Sequence, residues 1–316
     1  MTAARAILPS ELLEKFGERL GLSPVYVPDD EQEARISAIQ PGARPSLVGF
    51  LNLIHPNRVQ VIGEEESRWL DALDAKTRWE TLARIMDARP ATIIIAGNVD
   101  LARDVEQAAR DNDITLLKAS KPAWELVNYL DYQITRTLAP STTLHGVFLE
   151  IFTIGVLITG SAGTGKSELA LELVSRGHRL IADDAPEFTQ ITPEIIEGAC
   201  PPVLRDYLEV RGLGLLNIRR MFGDTAIKPN KYLRLIIDLH TPAEIPVDTD
   251  RLRGNIGERR VLEMDIPEIR LPVLPGRNLA VMAEVAVRDF MLRLKGFDAT
   301  REFVERHAAQ MGSLDE

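Results

Sequence analysis

The sequence is short of the residues that mark secreted and membrane proteins. It has one cysteine, Cys200, among 316 residues, so the chain cannot form an intrachain disulfide. This suits a reducing compartment, and because no catalytic partner lies near it in sequence, Cys200 is interpreted as structural. Long apolar runs are also missing: Ile154 to Ile158 is far too short to cross a bilayer, and the first ten residues lack the apolar core of a signal peptide. These features predict a cytoplasmic protein without a membrane partner.

Positive charge is in short supply as well. The chain has 37 lysine and arginine residues against 47 aspartate and glutamate residues, a formal net charge of −10. Binding to a nucleic-acid backbone needs a basic surface, so this balance argues against nucleic acid as the main partner. The composition, 45% hydrophobic and 27% charged, is ordinary for a soluble globular protein. A chain of this length can form two domains with sizeable cores.

The most specific pattern lies in the middle of the chain. An apolar run, Ile151 to Thr159, leads into the G-x-x-x-x-G-K-S string of a P-loop, and a helical pattern follows at once. Glycines let backbone N–H groups surround phosphate oxygens, the lysine reaches the β- and γ-phosphates, and the serine hydroxyl can join the shell of Mg²⁺. The pattern predicts binding of a nucleoside triphosphate with Mg²⁺ by Gly160, Ser161, Ala162, Gly163, Thr164, Gly165, Lys166 and Ser167.

The first half of the chain alternates strand and helix patterns, which predicts an open α/β domain. A run ending in Gly97 and Asn98 is either a ligand-binding turn or a plain strand-to-helix connection. A helical pattern from Pro122 ends at a proline- and hydroxyl-rich break, residues 139–143. We therefore expect two domains, residues 1–135 and 136–316. The predicted strands of the first half are Val25–Val27, Ser46–Leu53, Val59–Ile62, Ala91–Ala96 and Ile114–Leu117, and the helical patterns are 9–20, 64–87 and 99–111.

Two adjacent carboxylates, Asp183 and Asp184, follow the predicted strand Arg179 to Ala182. Ligands of open α/β sheets gather at the carboxyl ends of strands, so both carboxylates should face the bound phosphates. Neighbouring residues on a strand point to opposite faces, so one Asp could serve the metal or a side chain while the other meets a substrate hydroxyl. The alternative is an ordinary acidic turn. An ordinary Walker B aspartate usually comes later, on a different strand, so this spacing suggests a P-loop protein outside the common GTPase and motor families.

The rest of the second half gives weaker signals. Residues 144–147 predict the start of a strand, and residues 208–217, which contain Glu209 and Arg211, predict a strand, a flexible turn and a helix. Arg251 and Arg253 are either anion clamps or a solvated pair. The turn 272–277 precedes a predicted helix, Asn278 to Leu294, whose residues Val281, Val285 and Leu292 are expected to pack inward.

Four strings, in this order, resemble the HPr kinase/phosphorylase family: LHGV, GSAGTGKSELALELVSRGHRLIADD, LEVRGLGLLN and PVLPGRNLAV. The resemblance covers residues 144–295 closely, whereas the first half is similar in length and pattern only. It implies a C-terminal P-loop kinase domain related to the nucleotide core of phosphoenolpyruvate carboxykinase. It leaves the N-terminal α/β domain without an assigned role, regulation being one option.

The resemblance also implies residue roles. His145 matches the family's active-site histidine and Asp184 the carboxylate that takes the proton from the target serine, with Asp183 as its partner. Lys166 matches the P-loop lysine, Arg251 matches an arginine of the catalytic set, and Ser167 and Glu209 match the Mg²⁺ ligands. Further residues of the matching motifs are Glu168, which could assist the metal, and Arg211, Gly212, Gly214, Pro272, Gly276 and Arg277.

The implied reaction is ATP- or pyrophosphate-dependent phosphorylation of a serine in the phosphocarrier protein HPr, a step that regulates carbon metabolism. In the reverse direction, inorganic phosphate attacks phosphoserine and releases pyrophosphate. The family also implies a homohexamer assembled through the P-loop domain.

The chain departs from the family pattern in the turn before the penultimate helix. That segment usually reads P-V-R-P-G-R and is linked to dephosphorylation, but Leu274 replaces the first arginine here. We therefore expect the kinase direction to survive and phosphorolysis to be weak. Ser161, where Asp is frequent, should matter less because its position mainly offers backbone to the phosphates.

Two other functions remain open from the residues alone. One is a small-molecule kinase that uses the same phosphate loop, and the other is a non-catalytic nucleotide sensor. The Asp pair and Glu209 favour chemistry over sensing, because a sensor needs no base beside the γ-phosphate.

Overall fold

The structure is a computed structural model that describes residues 6–30, 34–37, 47–97, 99–100, 103–241 and 256–312, without the side chains of residues 308, 309, 311 and 312. The chain divides into two compact units, Met1–Ala139 and Pro140–Glu316. Among the described residues, none of the helices has the length and apolarity needed to span a membrane.

A mostly parallel sheet forms the centre of the first unit. Its strands are β2 (Leu22–Tyr26), β4 (Val48–Phe50), β5 (Val59–Ile62), β6 (Thr92–Ala96) and β7 (Thr115–Ala119). Two further short strands, β1 (Ala6–Ile7) and β3 (Ile36–Ser37), pair separately with each other. Within the described residues the sheet order is β2-β7-β6-β5-β4, with β4 to β7 parallel and β2 antiparallel at the edge. The apolar run of β6 is buried at every position, as expected for a strand covered on both faces. The prediction of an α/β first half is confirmed.

Helices cover this sheet. They are α1 (Pro9–Leu20), α2 (Glu64–Ala72), α3 (Ala75–Asp87), α4 (Arg103–Asp111) and α5 (Ala123–Leu138). The helical pattern predicted at 64–87 divides after Ala72, because the Asp74 side chain accepts hydrogen bonds from two backbone N–H groups and caps a new helix, α3. Leu126, Leu130 and Ile134 of α5 recur every four residues and are fully buried in the core of the first unit.

The second unit is a mixed α/β structure. Its strands are β8 (Ser141–Thr143), β9 (Val147–Ile151), β10 (Ile154–Gly160), β11 (Arg179–Ala182), β12 (Glu187–Thr192), β13 (Ile195–Ala199), β14 (Tyr207–Val210), β15 (Gly214–Asn217), β16 (Asn230–His240), β17 (Ile256–Val261) and β18 (Met264–Pro272). In the part of the chain that is described, one sheet runs β11-β9-β10-β16-β13-β12-β8, and β18 pairs with β16 and β17. Strands β10 and β18 are both parallel to β16, so their carboxyl ends meet at one edge.

The helices of the second unit are α6 (Lys166–Ser175), α7 (Ile218–Phe222), α8 (Leu279–Leu294) and α9 (Ala299–Gly312), with 3₁₀ turns at Pro202–Leu204 and Asp224–Ala226. The inner faces of α6 and α8 pack into one core cluster with β9, β10 and β16. This packing fixes the start of α6 at the carboxyl end of β10.

Two local predictions in the second unit are wrong. Residues 144–146 form a bend, and the strand begins at Val147. Residues 214–217 form β15 rather than a helix, because they pair with β14 in an antiparallel hairpin. The predicted break after the helix from Pro122 is confirmed, since α5 ends at Leu138, and residues 141–143 within it form β8, which pairs with β12.

The predicted inner face of α8 is also wrong. Val281, Val285 and Leu292 are exposed, whereas Ala280, Ala283, Val287 and Phe290 are the buried positions. The helix is apolar on several sides, so the spacing of its larger residues did not identify the face toward the core. Small alanines allow the close approach to the sheet, and Val281 and Val285 are left outside.

Candidate active site

A glycine loop, residues 160–167, joins the end of β10 to the first turn of α6. Gly163 and Gly165 have φ of 83° and 89°, values that glycine adopts without steric cost. Gly160 has φ of 140°, and a Cβ at this position would lie 2.6 Å from the Leu239 carbonyl oxygen. The loop therefore begins in close contact with β16, and a larger residue at 160 would force the two strands apart.

Lys166 points back into the loop. Its Nζ donates hydrogen bonds to the carbonyl oxygens of Gly160 and Ser161, both at 3.0 Å. The Thr164 hydroxyl donates to the Ser161 carbonyl at 2.9 Å, which closes the loop on itself. Ser167 and the exposed Glu168 lie in the first turn of α6. The arrangement holds a cation and a helix N-terminus together, the pairing that attracts phosphate.

The two aspartates after β11 have different surroundings. Asp183 is buried, and its carboxylate accepts a hydrogen bond from the Glu209 backbone N–H at 2.8 Å. Burial raises the pKa of Asp183 above its ordinary value. Asp184 is in the left-handed region, at φ of 64°, with 82% of its side chain exposed. Asp183 therefore positions the hairpin that carries Glu209, and Asp184 faces solvent. That both carboxylates face the bound phosphates stays a prediction.

His145 connects Asp184 to the glycine loop. Its Nδ1 lies 3.8 Å from Asp184 Oδ1, and the residue lines a cavity of about 450 Å³ together with Gly160 and Ser161. Gly146 makes this placement possible, because a Cβ there would lie 2.3 Å from the Ile158 carbonyl oxygen. The bend at 144–146 thus presses against β10 two residues before the glycine loop begins.

The β14–β15 hairpin brings a second set of predicted residues to the loop. Arg211 Nη1 lies 3.6 Å from the position that a Cβ on Gly163 would take, so the guanidinium is beside the glycine loop. Gly212 and Gly214 shape the turn, with φ of 87° and 81°. The side chain of Glu209 is exposed on β14.

Ser167 and Glu209 fit a Mg²⁺ site by their chemistry. A hydroxyl and a carboxylate are hard oxygen donors, and Mg²⁺ usually takes one or two such ligands together with waters and substrate phosphates. Among the described residues, no cluster of three or more His, Cys, Asp or Glu side chains could hold a metal ion by itself.

Some predicted residues stand apart from this group. Pro272 ends β18 beside His240 of β16. Gly276 has φ of 79° in the turn before α8, where the Arg277 backbone N–H donates to the Leu274 carbonyl. In the part of the chain that is described, no hydrogen bond joins Gly276 or Arg277 to the glycine loop.

Other predicted residues lie outside the described ones. These are Arg251, Arg253 and Asn98.

A buried polar network that no sequence pattern predicted lies at the same edge of the sheet. Asp238, at the carboxyl end of β16, accepts a hydrogen bond from the Thr159 hydroxyl at 2.5 Å and lies 2.5 Å from His240 Nε2. Arg259 of β17 contacts Asp238 and Glu268. Asp238 is thus the carboxylate on the strand next to the glycine loop, the place where the sequence provided no candidate. The only feature of the sequence that could have pointed to Asp238 is its position near the end of an apolar run.

Fold and site together define a two-domain α/β protein with a glycine loop at a helix N-terminus and carboxylates on neighbouring elements. Family models match both halves of the chain: HPr Serine kinase N terminus over residues 10–134 and HPr Serine kinase C-terminal domain over residues 136–307. The chain belongs to the HPr serine kinase family.

Curated relatives support the same membership. Proteins named HPr kinase/phosphorylase from Xanthomonas euvesicatoria pv. vesicatoria (strain 85-10) and Stenotrophomonas maltophilia (strain R551-3) are each 52% identical over 305 residues, which is 96% of this chain and 96% of each relative. A solved structure titled as the Hpr(Ser) kinase/phosphatase from Coxiella burnetii is 36% identical and covers 51% of this chain and 98% of that chain, with a TM-score of 0.48.

Proposed function

We propose that this protein is a serine kinase and phosphorylase of the phosphocarrier protein HPr. In the kinase direction it transfers a phosphoryl group from ATP, or from pyrophosphate, to a serine of HPr. In the phosphorylase direction inorganic phosphate takes the group back and forms pyrophosphate. The observation that carries the proposal is the position of His145, which lines one cavity with the glycine loop and lies 3.8 Å from the exposed Asp184.

In this proposal the glycine loop is a P-loop, within a domain related to the nucleotide core of phosphoenolpyruvate carboxykinase. Its N–H groups and Lys166 hold the phosphates, and binding draws Lys166 away from the carbonyls of Gly160 and Ser161. Ser167 and Glu209 would hold Mg²⁺, with Glu168 assisting in the same turn, and the bound ion would neutralise charge on the phosphates. Arg211, beside Gly163, and Arg251 add positive charge during transfer.

Asp184 acts on the serine. It accepts the hydroxyl proton as the serine oxygen attacks the terminal phosphorus, and the bond from phosphorus to the leaving phosphate breaks. In the reverse reaction the same carboxyl group returns the proton to the serine oxygen. With 82% of its side chain exposed, Asp184 is open to a hydroxyl on a protein surface. This exposure favours a protein substrate over a small metabolite, which enzymes normally enclose.

The proposal places catalysis in residues 136–316 and assigns regulation to residues 1–135. It includes a homohexamer assembled through the second unit and a cytoplasmic location. Support for the division is that the described site residues all lie in Pro140–Glu316.

The direct test uses the full chain, Mg²⁺, ATP labelled in the γ-phosphate and purified HPr. We expect label on an HPr serine, identified by mass spectrometry, and its slow loss with pyrophosphate formation when inorganic phosphate replaces ATP. Label that stays in ATP, or that reaches only a metabolite in a cell extract, would contradict the proposal.

A further inference from the structure

A buried polar network lies where β10 enters the glycine loop. It consists of Thr159, Asp238, Arg259 and Glu268, with His240 at its edge. Thr159 and Asp238 are less than a tenth exposed, and Glu268 is 3% exposed. The proposed transfer steps use none of these side chains.

Thr159 is the centre of the network. Its hydroxyl donates to Asp238 Oδ1 at 2.5 Å and accepts a hydrogen bond from Arg259 Nη1 at 3.2 Å. Arg259 Nη2 lies 3.2 Å from Asp238 Oδ2 and donates to Glu268 Oε1 at 2.6 Å. Thr159, Asp238 and Arg259 thus form a closed ring of contacts, in which the Thr159 hydroxyl both donates and accepts a hydrogen bond.

The ring lies directly against the glycine loop. Thr159 is paired with Asp238, and the next residue, Gly160, is paired with Leu239. Thr159, Asp238 and Arg259 line the same cavity as Gly160 and Ser161. The carbonyls of these two loop residues are the ones that hold Lys166. A shift of Thr159 would therefore move the first residues of the loop and the lysine bound to them.

Burying the charges of Asp238, Glu268 and Arg259 costs desolvation free energy that apolar side chains at the same positions would not cost. Two buried carboxylates beside one guanidinium are costly to desolvate, and an apolar residue of similar size is often as stable at such a place. Although burial acts to raise it, the hydrogen bond from Thr159 and the charges of Arg259 and His240 hold the pKa of Asp238 below its ordinary value. Asp238 therefore remains a charged acceptor that directs the hydroxyl.

We propose that Asp238 and Arg259 are positioning residues that fix the start of the glycine loop through the Thr159 hydroxyl and thereby set its affinity for nucleotide phosphates. The inference deepens the proposed function, since it rests on the glycine loop being the nucleotide site. Asp238 and Arg259 act through Thr159, and neither is assigned a contact with the transferred group.

The test compares Thr159→Val, which keeps the shape and removes both hydrogen bonds, with Thr159→Ser, which restores the hydroxyl. Dissociation constants of a fluorescent ATP analogue are measured with Mg²⁺ on the full chain, without HPr. We expect Thr159→Val to weaken binding roughly tenfold, because both lost hydrogen bonds involve charged groups. Thr159→Ser should bind nearly as the natural chain does.

The matched control is Thr92→Val. Thr92 is a fully buried threonine of β6 in the first unit, and its hydroxyl donates to the Thr115 carbonyl at 3.0 Å. Both valine variants should lose stability in urea unfolding, but only Thr159→Val should change nucleotide affinity. If Thr159→Val does not fold, Arg259→Lys takes its place, because an ammonium cannot contact Thr159, Asp238 and Glu268 at once as the guanidinium does.

Equal affinity in the natural chain and in Thr159→Val, or in Arg259→Lys where that variant replaces it, overturns the proposal. Equal impairment of Thr159→Ser and Thr159→Val overturns it as well. Failure of the proposed function looks different. A natural chain that binds no nucleotide contradicts the P-loop assignment, and one that binds nucleotide without modifying HPr contradicts the substrate.

Discussion

Asp184 combines strain, exposure and a polar neighbour. A non-glycine residue at φ of 64° is uncommon, and such positions are concentrated at functional sites. The Gly146 backbone N–H donates to the Asp184 carbonyl at 3.1 Å, which ties the strained residue to the bend that carries His145. The backbone of Asp184 is therefore held next to the bend that carries His145, while its carboxylate stays exposed.

The first prediction concerns this carboxylate. Asp184→Asn should lower transfer to HPr by roughly 10²- to 10⁴-fold, the usual contribution of a general base, and should leave nucleotide affinity nearly unchanged. Asparagine tolerates the left-handed backbone, so the fold should be kept. Lys166→Ala is the contrasting variant and should impair both quantities, because the proposed function assigns Lys166 a contact with the phosphates. Full transfer activity in Asp184→Asn would show that the base assignment is wrong.

The second prediction concerns Leu274. It lies in the turn between β18 and α8, where the family resemblance implied an arginine, and its carbonyl accepts the Arg277 backbone N–H at 3.2 Å. We expect weak phosphorolysis in the natural chain, and an increase of roughly tenfold in Leu274→Arg, because a guanidinium binds phosphate strongly. Pyrophosphate release from phosphoserine-HPr measures this, with the forward kinase rate as control. Robust phosphorolysis by the natural chain would contradict the expectation.

Among individual site residues, the glycine loop and both aspartates could be predicted from the sequence, but the network around Thr159 could not. The loop is a contiguous string whose residues have fixed roles, so its chemistry can be read locally. Asp238 has its partners 79 residues before it, at Thr159, and 21 residues after it, at Arg259. Only the sheet brings them together, because β10 pairs with β16 and β17 is joined to β16 through β18. A single sequence contains no signal for that pairing.

Between elements, one carboxylate connects α6 to α8. Glu284 of α8 accepts two hydrogen bonds from Arg176, at 2.9 and 2.6 Å, and lies 3.0 Å from His178 Nε2. Asn278, which caps α8, donates to Glu172 of α6 at 2.9 Å. These contacts fix the far end of α6, the helix whose first turn follows the glycine loop.

The third prediction is the pH dependence of this connection. The hydrogen bond from Arg176 lowers the pKa of Glu284 to about 2, from an ordinary value of 4.5. A carboxyl group with a lowered folded pKa stabilises above its unfolded pKa and loses that effect as the pH falls toward the folded value. Glu284→Gln should thus cost about 2 kcal/mol of unfolding free energy at neutral pH, a figure reduced for the partial exposure of Arg176.

Urea unfolding of the natural chain and Glu284→Gln at several pH values measures this cost. The difference between them should be constant above about pH 5 and should shrink from about pH 4.5 toward pH 2. An exposed glutamate on α3, changed as Glu80→Gln, is the matched control and should show little difference at any pH. A difference that does not vary with pH would exclude the ion pair as its source.

Element types followed the sequence where the periodicity was unambiguous. Helix α1 spans the predicted residues 9–20, and Gly21, in the left-handed conformation, ends it. The β14–β15 hairpin was missed because its second strand is only Gly214–Asn217 and leads directly into α7. Four residues next to a helix contain too few positions for an alternating pattern to be recognised.

For the whole molecule, the outer face of α8 is the most informative surface. Val281, Val285 and Leu292 lie at helical spacing on one side and are 42%, 57% and 45% exposed. Single exposed apolar residues are normal, but aligned ones along a helix mark an interaction surface. The sequence pattern assigned these residues to the core because an interface between copies and an interior have the same apolar spacing. The proposed assembly through the second unit would account for their exposure.

The last prediction follows from that face. Val285→Glu would bury a charge in any contact made by this side of α8, so analytical ultracentrifugation should show a smaller species than the natural oligomer. The matched control is Val203→Glu, the same change at a valine that is 84% exposed in the 3₁₀ turn of the same unit, and it should leave the assembly intact. Because Val285 is remote in sequence from the glycine loop and its side chain faces away from the core, nucleotide affinity should be retained in the smaller species. An unchanged sedimentation coefficient for Val285→Glu, or a natural chain that sediments as a monomer, would show that this face of α8 does not join copies of the protein.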